Sequence, residues 1–321
     1  TQTMASLAAG DADKLGKLSD KKYKQQAVWF LNAFWDEYFT DDEKREKVYD
    51  YCTKMIKLDS RGDEGNELDE FKAHQFLEKT EGALTVAAMR KALKDIDIDF
   101  NKKVSLTEFL IYCYKADVHA LVCAPQTSDK EAAAALSAAQ EEVDKAMSQA
   151  TVAKTAADAA AKAHNEATKA EEVAKEALAD LEAQQKAFDD KVALLTTTGE
   201  NMELGIVKRN RAKQELAMLK AKDPLPLDRA KINQGAAVRK VKKARKKAEK
   251  TAAASKEEYA KANEAFKKAE TDLAVIAKQT KGAGQGTLWF MQRELAEAKK
   301  YMTPKQLKKS DEELMKKMGG F

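Results

Sequence analysis

Apolar positions recur in alternating steps of four and three at Ala132, Leu136, Ala139, Val143, Ala146, Ala150, Ala153, Ala157 and Ala160. That period draws one apolar stripe along a helix and predicts a coiled-coil seam. The phase slips after Ala160 and recovers at Ala167, Ala170, Ala174, Leu181, Phe188 and Leu195. No Gly or Pro occurs from Ser128 to Thr197, Ser128 with Glu131 forms a capping box, and Thr196–Gly199 predicts the stop. About 70 residues at 1.5 Å each make a helix of roughly 105 Å. A shorter helix is predicted from Glu200 to Ala221, and two prolines within Asp223–Asp228 predict a break. A second seam then runs through Val238, Val241, Arg245, Ala248, Ala252, Ser255, Tyr259, Ala262, Phe266, Ala269, Leu273 and Ile276, with its helix ending near Gln279. Arg245, polar at a core position, is a candidate register device. The second and third helices together nearly match the first, which predicts a long antiparallel hairpin whose returning arm is broken at the prolines. A three-helix segment folding back at the prolines is the alternative. The first seam is mostly Ala, so backbones approach closely and little area is buried.

The pattern changes at Ala124-Pro125. Before it, aromatic and branched residues mix with Gly and Asp clusters, as in a compact head. The stretch from Ala27 to Trp35 is apolar nearly all round, so its helix is buried on more than one side. The expected organisation is a head at 1–125 with an aromatic helix at 20–39, a coiled-coil hairpin at 126–281, and a short helix with a tail at 282–321. Only 7% of residues are aromatic, with 13 Gly and 4 Pro, which excludes a fold of many short strands and turns. The expected class is all-α.

Charge adds a second layer. Residues 1–125 carry 19 Lys and Arg against 23 Asp and Glu, residues 126–200 carry 8 against 15, and residues 201–321 carry 30 against 15. An acidic centre and a strongly basic C-terminal part are built to meet, within one molecule or between molecules. The peak is Arg239–Lys250, where Arg239, Lys240, Lys242, Lys243, Arg245, Lys246, Lys247 and Lys250 face a single acid, Glu249. Two readings compete for it. One is a solvated face pairing with the acidic helix, and the other is a contact for an acidic partner such as an actin or tubulin surface, a second rod, or a phosphate polymer. Without interleaved aromatics, nucleic acid ranks last.

One segment of the head carries metal chemistry. Oxygen side chains fall at Asp97, Asp99, Asn101, Ser105 and Glu108, within twelve residues and between two helical patterns. A hard cation takes six to eight oxygens, and this spacing lets one loop supply them. The loop resembles that of the EF-hand superfamily. The resemblance implies Ca²⁺ as cofactor, Glu108 as a bidentate ligand and Lys103 as a ligand through its carbonyl. At the sixth position it has Lys102 where that family prefers Gly, a departure costing about 1–2 kcal/mol in a left-handed turn. EF-hands pair, and Asp59–Glu70 offers a weaker second loop with Asp59, Asp63, Glu67 and Glu70 at candidate positions, but with Arg61 where a ligand belongs. Phe71 follows Glu70 as Phe109 follows Glu108. The aromatic helix is then either a core element or an internal target helix lying in the groove of the pair.

Gly282–Gly286 fits no phosphate-binding pattern and reads as a turn. Leu288 opens a short helix to about Met302 whose Trp289 and Phe290 dock on the protein or anchor a partner. Leu307–Phe321 reads as a basic tail. His74, His119 and His164 are far apart in sequence, and no nucleophile elbow, HExxH or CxxC motif occurs, so no enzyme is expected. Three cysteines give no disulfide framework. Neither a long apolar run nor a signal-peptide pattern is present, so no membrane span is expected and the localisation is cytoplasmic, with a cytoskeletal placement the narrower reading. The first functional reading is a Ca²⁺-responsive structural protein whose head governs self-association of the rod into dimers, filaments or bundles. The alternative is a Ca²⁺-regulated adaptor or crosslinker gripping cytoskeletal filaments through the basic helix. A Ca²⁺ buffer is the third.

Overall fold

The structure, a computed structural model, describes residues 7–8, 10–82, 85–127, 130–221, 225–279 and 284–300. The helices are α1 (Asp11–Ser19), α2 (Tyr23–Ala33), α3 (Trp35–Tyr38), α4 (Asp42–Leu58), α5 (Glu70–Glu81), α6 (Val86–Ile96), α7 (Leu106–Tyr114), α8 (Val118–Cys123), α9 (Lys130–Glu200), α10 (Ile206–Ala221), α11 (Leu225–Gln279) and α12 (Gln285–Lys300). Two three-residue strands, β1 (Glu67–Asp69) and β2 (Lys103–Ser105), pair antiparallel with Leu68 opposite Val104. The fold is mostly helical. Among the described residues no helix is long and apolar enough to cross a membrane.

The chain forms two compact units. One comprises the described residues of 1–148 and 263–300, the other those of 149–262. In the first, short polar residues start the helices as their chemistry dictates. Asp41, Asp69, Thr85 and Asp117 each accept a hydrogen bond from a first-turn amide of the following helix. The core gathers around α2, whose Tyr23, Ala27, Phe30 and Leu31 are fully buried. Phe30 packs its ring against Phe34, Phe39 and Tyr114 with centroids 5.0–6.0 Å apart. The aromatic stretch is a core helix packed by α4, α7, α8 and α12. It ends earlier than the expected 20–39, because Phe34 leaves helical geometry at φ −122°.

Helix α12 seals this core. It begins at Gln285, three residues before the expected Leu288, so Gln285 and Gly286 belong to the helix and not to the glycine turn. Asn32 caps its start: Asn32 Oδ1 accepts from the Thr287 amide at 3.0 Å, and Asn32 Nδ2 donates to Thr287 Oγ1 at 2.9 Å. A Cβ on Gly286 would lie 2.7 Å from the Asn32 backbone nitrogen and from Leu31 Cβ. Gly286→Ala is therefore expected to destabilise the protein by about 2 kcal/mol, because overpacking against fixed backbone exceeds the helix-propensity gain of about 1 kcal/mol. A denaturation midpoint unchanged or raised in the variant contradicts this close approach. Further along α12, the Lys24 ammonium lies 2.9 Å from the buried Glu294 carboxylate, tying α2 and α12 together by charge as well as by shape.

Within the second unit, α9 and α11 run antiparallel. Glu166 faces Lys247 at 2.8 Å and Glu171 faces Arg245 at 2.7 Å. Beside these pairs Ala163 and Ala167 pack on Ala248. Along α11 the buried side follows the expected stripe at Ala248, Ser255 and Ala262, but Ala237 is buried where Val238 was expected, and Val238 is exposed. Three boundaries differ from expectation. Helix α9 continues through Thr196–Gly199, because Thr196, Thr197 and Thr198 turn their hydroxyls back onto the carbonyls of Val192, Ala193 and Leu194 and leave the backbone ladder intact. Helix α10 opens at Ile206, after a turn, and not at Glu200. Helix α11 opens at Leu225, inside the expected 223–228 break, with Pro226 in the first turn, where a missing amide is tolerated. Ser128 of the capping box, the Gly282–Ala283 step and the 307–321 tail lie outside the described residues.

Candidate functional site

The loop between α6 and α7 brings carboxylates together. Oxygens of Asp97, Asp99 and Glu108 lie within 4.8 Å of one another. Ile96, fully buried, anchors one side of the loop, and β2 followed by the Ser105 cap of α7 anchors the other. Within it, Asp97 Oδ2 accepts from the Lys102 amide at 3.0 Å, Asp99 Oδ1 from the Asn101 amide at 3.0 Å, and Asn101 Oδ1 from the Lys103 amide at 2.7 Å. These Asx turns coil the chain inward, and they require left-handed backbone at Phe100 and Lys102, both with φ 62°. The strain expected at Lys102 is thus present, and a second strained residue accompanies it.

Glu108 is buried against this loop. Its Oε1 accepts from the Ile98 amide at 3.1 Å, and its Oε2 from the Ser105 amide at 3.0 Å and the Ser105 hydroxyl at 2.9 Å. Burial pushes its carboxyl up from 4.5 to about 7 against those hydrogen bonds, and the Asp99 charge adds to the rise. Asp99 is also raised, first by burial and then by Asp97, against the Asn101 amide. Asp97 Oδ1 is buried without a hydrogen-bond partner. Three crowded carboxylates, two of them held above their ordinary range, with one orphaned oxygen among them, suit a divalent cation with hard oxygen preference. Asp97, Asp99 and Glu108 would hold it.

The other expected ligands fare differently. Ser105 is engaged elsewhere: its hydroxyl caps α7 by accepting from the Glu108 amide and sits 3.1 Å from the Ser19 hydroxyl. The Asn101 amide group lies on Asp99, and the Lys103 side chain pairs with Glu67.

Asp59–Glu70 is organised around a built-in cation. Asp59 Oδ2 takes the Arg61 guanidinium at 3.0 Å and the Tyr23 hydroxyl at 3.0 Å, and Arg61 also donates to the Glu67 carbonyl. Burial works against ionising Asp59, but the Arg61 and Tyr23 hydrogen bonds outweigh it and hold the carboxyl below its ordinary range. Asp63 pairs with Lys24, Glu67 with Lys103, and Glu70 starts α5. The four candidates do not converge. The two aromatic residues that follow the loops are placed differently: Phe109 is fully buried between Phe76 and Tyr51, whereas Phe71 is 72% exposed.

The basic segment lies on α11. Arg239, Lys240, Lys242, Lys243, Lys246, Lys247 and Lys250 are all exposed. At 3.6 residues per turn, Arg239, Lys242, Lys243, Lys246 and Lys250 share an arc of about 100°. Buried Ala237 and Ala248 lie on the opposite side. Lys247 and Arg245 flank the buried side and pair with Glu166 and Glu171. Among the described residues, none of the five in the arc makes an ion pair. Phe290, read from the sequence as docking on the protein or anchoring a partner, lies in the core. It is 2% exposed with its ring 5.2 Å from Tyr49, and Trp289 packs half-buried against the same core. Neither side chain stands out as an anchor.

One cluster escaped sequence reasoning. Asp11, His119 and Cys123 place ligand atoms within 4.8 Å of one another, across 108 residues of sequence between Asp11 and His119. The available signal was His119 and Cys123 four apart on one helix face.

Residues 135–272 match a family model described as F actin bundling C terminal. A calcium-regulated actin-bundling protein of Dictyostelium discoideum is 32% identical over 121 residues, covering 29% of this chain and 41% of that protein. The chain thus matches less than half the length of that relative. A 34 kDa F-actin bundling protein from the same organism, solved by crystallography, is 20% identical with a TM-score of 0.46, over 92% of this chain and 99% of that one. The resemblance to the EF-hand superfamily is corrected by these matches. The matching family is an actin-bundling one, over a region that excludes both loops, and no EF-hand family was found.

Proposed function

We propose that this chain crosslinks actin filaments under Ca²⁺ control, in the cytoplasm and at the cytoskeleton. The observation that carries the reading is the cationic arc of α11, which lies inside the region matching the actin-bundling family model. F-actin presents acidic surface, and a row of unpaired cations on a stiff helix meets it without reorganising first. The relative named for calcium regulation supports Ca²⁺ as the controlling ion, and the carboxylate loop at 97–108 is where we place it, with Asp97, Asp99 and Glu108 as ligands, Asn101 in support and Lys103 contributing its carbonyl.

Inside the first unit a route leads away from that loop. Thr107, next to Glu108, donates its amide and hydroxyl to Gln26 Oε1 at 2.9 and 3.0 Å. Gln26 is fully buried on α2 and donates to the carbonyls of Ser19 and Asn66. Helix α2 in turn carries α12 through Asn32 and Lys24. Ion binding that moves Glu108 therefore pulls on a core helix through the Gln26 side chain. Self-association of the rod, the first reading from sequence, finds less support than actin binding, because the similar proteins are named for actin bundling.

Sedimentation with F-actin tests the proposal. High-speed pelleting reports binding and low-speed pelleting reports bundles. The protein is expected to pellet only with filaments, at both speeds, and to a different extent when Ca²⁺ is added. Pelleting without actin would restore the self-association reading, and no response to Ca²⁺ would remove the ion from control.

A further inference from the structure

We propose that Asp11, His119 and Cys123 form a Zn²⁺ site distinct from the carboxylate loop. The three side chains come from α1 and α8. Asp11 is almost fully buried at the start of α1, and His119 and Cys123 lie four apart on α8, so one helical turn aims both at the same point. The His119 Nδ1 lies 2.7 Å from Asp11 Oδ2 and 3.9 Å from Cys123 Sγ.

Those separations suit a shared metal. With ligand bonds of about 2.0 Å to oxygen and nitrogen and about 2.3 Å to sulfur, tetrahedral edges are about 3.3 Å between O and N and about 3.6 Å between N and S. Both observed distances lie within about 0.6 Å of these values. A mixed oxygen, nitrogen and sulfur set selects a borderline ion such as Zn²⁺ over Ca²⁺ or Mg²⁺. The fourth position is left to solvent, on the side where His119 and Cys123 are exposed.

Two further observations point the same way. The Lys14 ammonium sits 3.3 Å from Cys123 Sγ and 3.8 Å from Asp11 Oδ1, so a cation already occupies the focus of two of the three ligands. Lys14 is half-exposed on a flexible stem and can swing away. The same residue types also suggest a cysteine nucleophile with a histidine base and an orienting acid, but that arrangement needs the thiol and the carboxylate on opposite ring nitrogens. Here both approach Nδ1, which is the geometry of convergence on one ion. Binding exchanges the thiol proton for the metal: Cys123 binds as thiolate and its proton goes to solvent.

Titration of the full chain with Zn²⁺, in saturating Ca²⁺ to keep the carboxylate loop filled, tests the site against a chromophoric chelator. One equivalent is expected per chain, and Co²⁺ in its place is expected to show a thiolate charge-transfer band. His119→Ala and Cys123→Ser change exposed side chains and leave the core intact. Each is expected to weaken Zn²⁺ by more than about 100-fold, beyond what loss of an outer-shell partner costs, and Cys123→Ser to abolish the band. Cys113→Ser is the control and is expected to bind as wild type. Zn²⁺ binding unaltered by either ligand variant, or Co²⁺ bound without the band, overturns the site.

Discussion

Replacing Glu108 by Gln is expected to weaken Ca²⁺ binding by more than about 100-fold, measured by calorimetry on the full chain. The basis for that size is loss of a ligand rather than of an outer-shell partner, whose loss alone costs about 10–100-fold. Gln keeps the shape of the side chain but offers one oxygen where Glu108 offers two, and it carries no charge to match the ion. The same substitution has a second signature that needs no metal. Glu108 has a carboxyl raised from 4.5 to about 7 by burial. In metal-free protein the folded state therefore holds this proton over a range in which the unfolded chain has released it. Stability is unaffected by this group below about pH 4.5, falls as pH rises toward 7, and carries the full penalty above it. A shift of that size corresponds to on the order of 3 kcal/mol. The Gln variant has no such titration, so its stability relative to wild type is expected to rise by that amount between about pH 4.5 and 8. Denaturant midpoints of both proteins across this range measure it. Parallel profiles would show that Glu108 is not held protonated by burial, and equal Ca²⁺ affinities would remove it as a ligand.

What was legible in the sequence follows from which forces are local. The stripes along α9 and α11 were readable because alternating steps of three and four are a property of the helix itself, and the observed burial at Leu136, Ala139, Val143, Ala146, Phe266, Ala269 and Leu273 follows them. The ends were less readable, because they depend on competition between hydrogen bonds. Thr196–Thr198 favour a stop by type, yet their hydroxyls found carbonyls one turn back, and the helix continued. The twelve-residue oxygen spacing located a carboxylate cluster because ligands within one loop are near in sequence. It did not reveal that Ser105 is spent on capping, or that Arg61 turns the upstream loop into an internal ion pair with Asp59. Whether Phe290 docks on the protein or anchors a partner was open in the sequence, and burial against Tyr49 is decided only by tertiary packing, as is the solvent-facing position of Phe71. The Asp11, His119 and Cys123 cluster was only half legible, in the four-residue spacing of His119 and Cys123, since α1 and α8 meet only in the folded unit. The likeness of the loops to a widespread metal-binding superfamily was a local reading too, and the family match falls on 135–272 instead.

Reversing charge along the arc of α11, with Lys242→Glu, Lys243→Glu and Lys246→Glu together, is expected to abolish F-actin binding in high-speed sedimentation. The three side chains are exposed and face away from Ala237 and Ala248, so the helix and its packing on α9 are retained, and the circular dichroism and melting midpoint are expected to match wild type. Each reversal changes the local charge by two, and the arc passes from five cations to two cations and three anions. Against an acidic filament, attraction becomes repulsion, and like-charge juxtaposition across an interface costs several kcal/mol. Long-range attraction between exposed charges is screened within about 8 Å at physiological ionic strength. Wild-type binding is therefore expected to weaken steeply as salt is raised, while the residual binding of the variant does not. A second comparison separates this face from the pairs that hold the unit together. Lys247→Ala and Glu166→Ala remove a flanking pair that is more than half-exposed on both sides. Exposed pairs contribute about 0–1 kcal/mol, so this change is expected to leave both stability and actin binding close to wild type. If the triple variant still pelleted with filaments at wild-type salt dependence, the arc would not be the actin contact. The remaining cations of the basic C-terminal part would then have to carry it, or binding would rest on apolar surface such as exposed Ile232 and Val238 on the same helix.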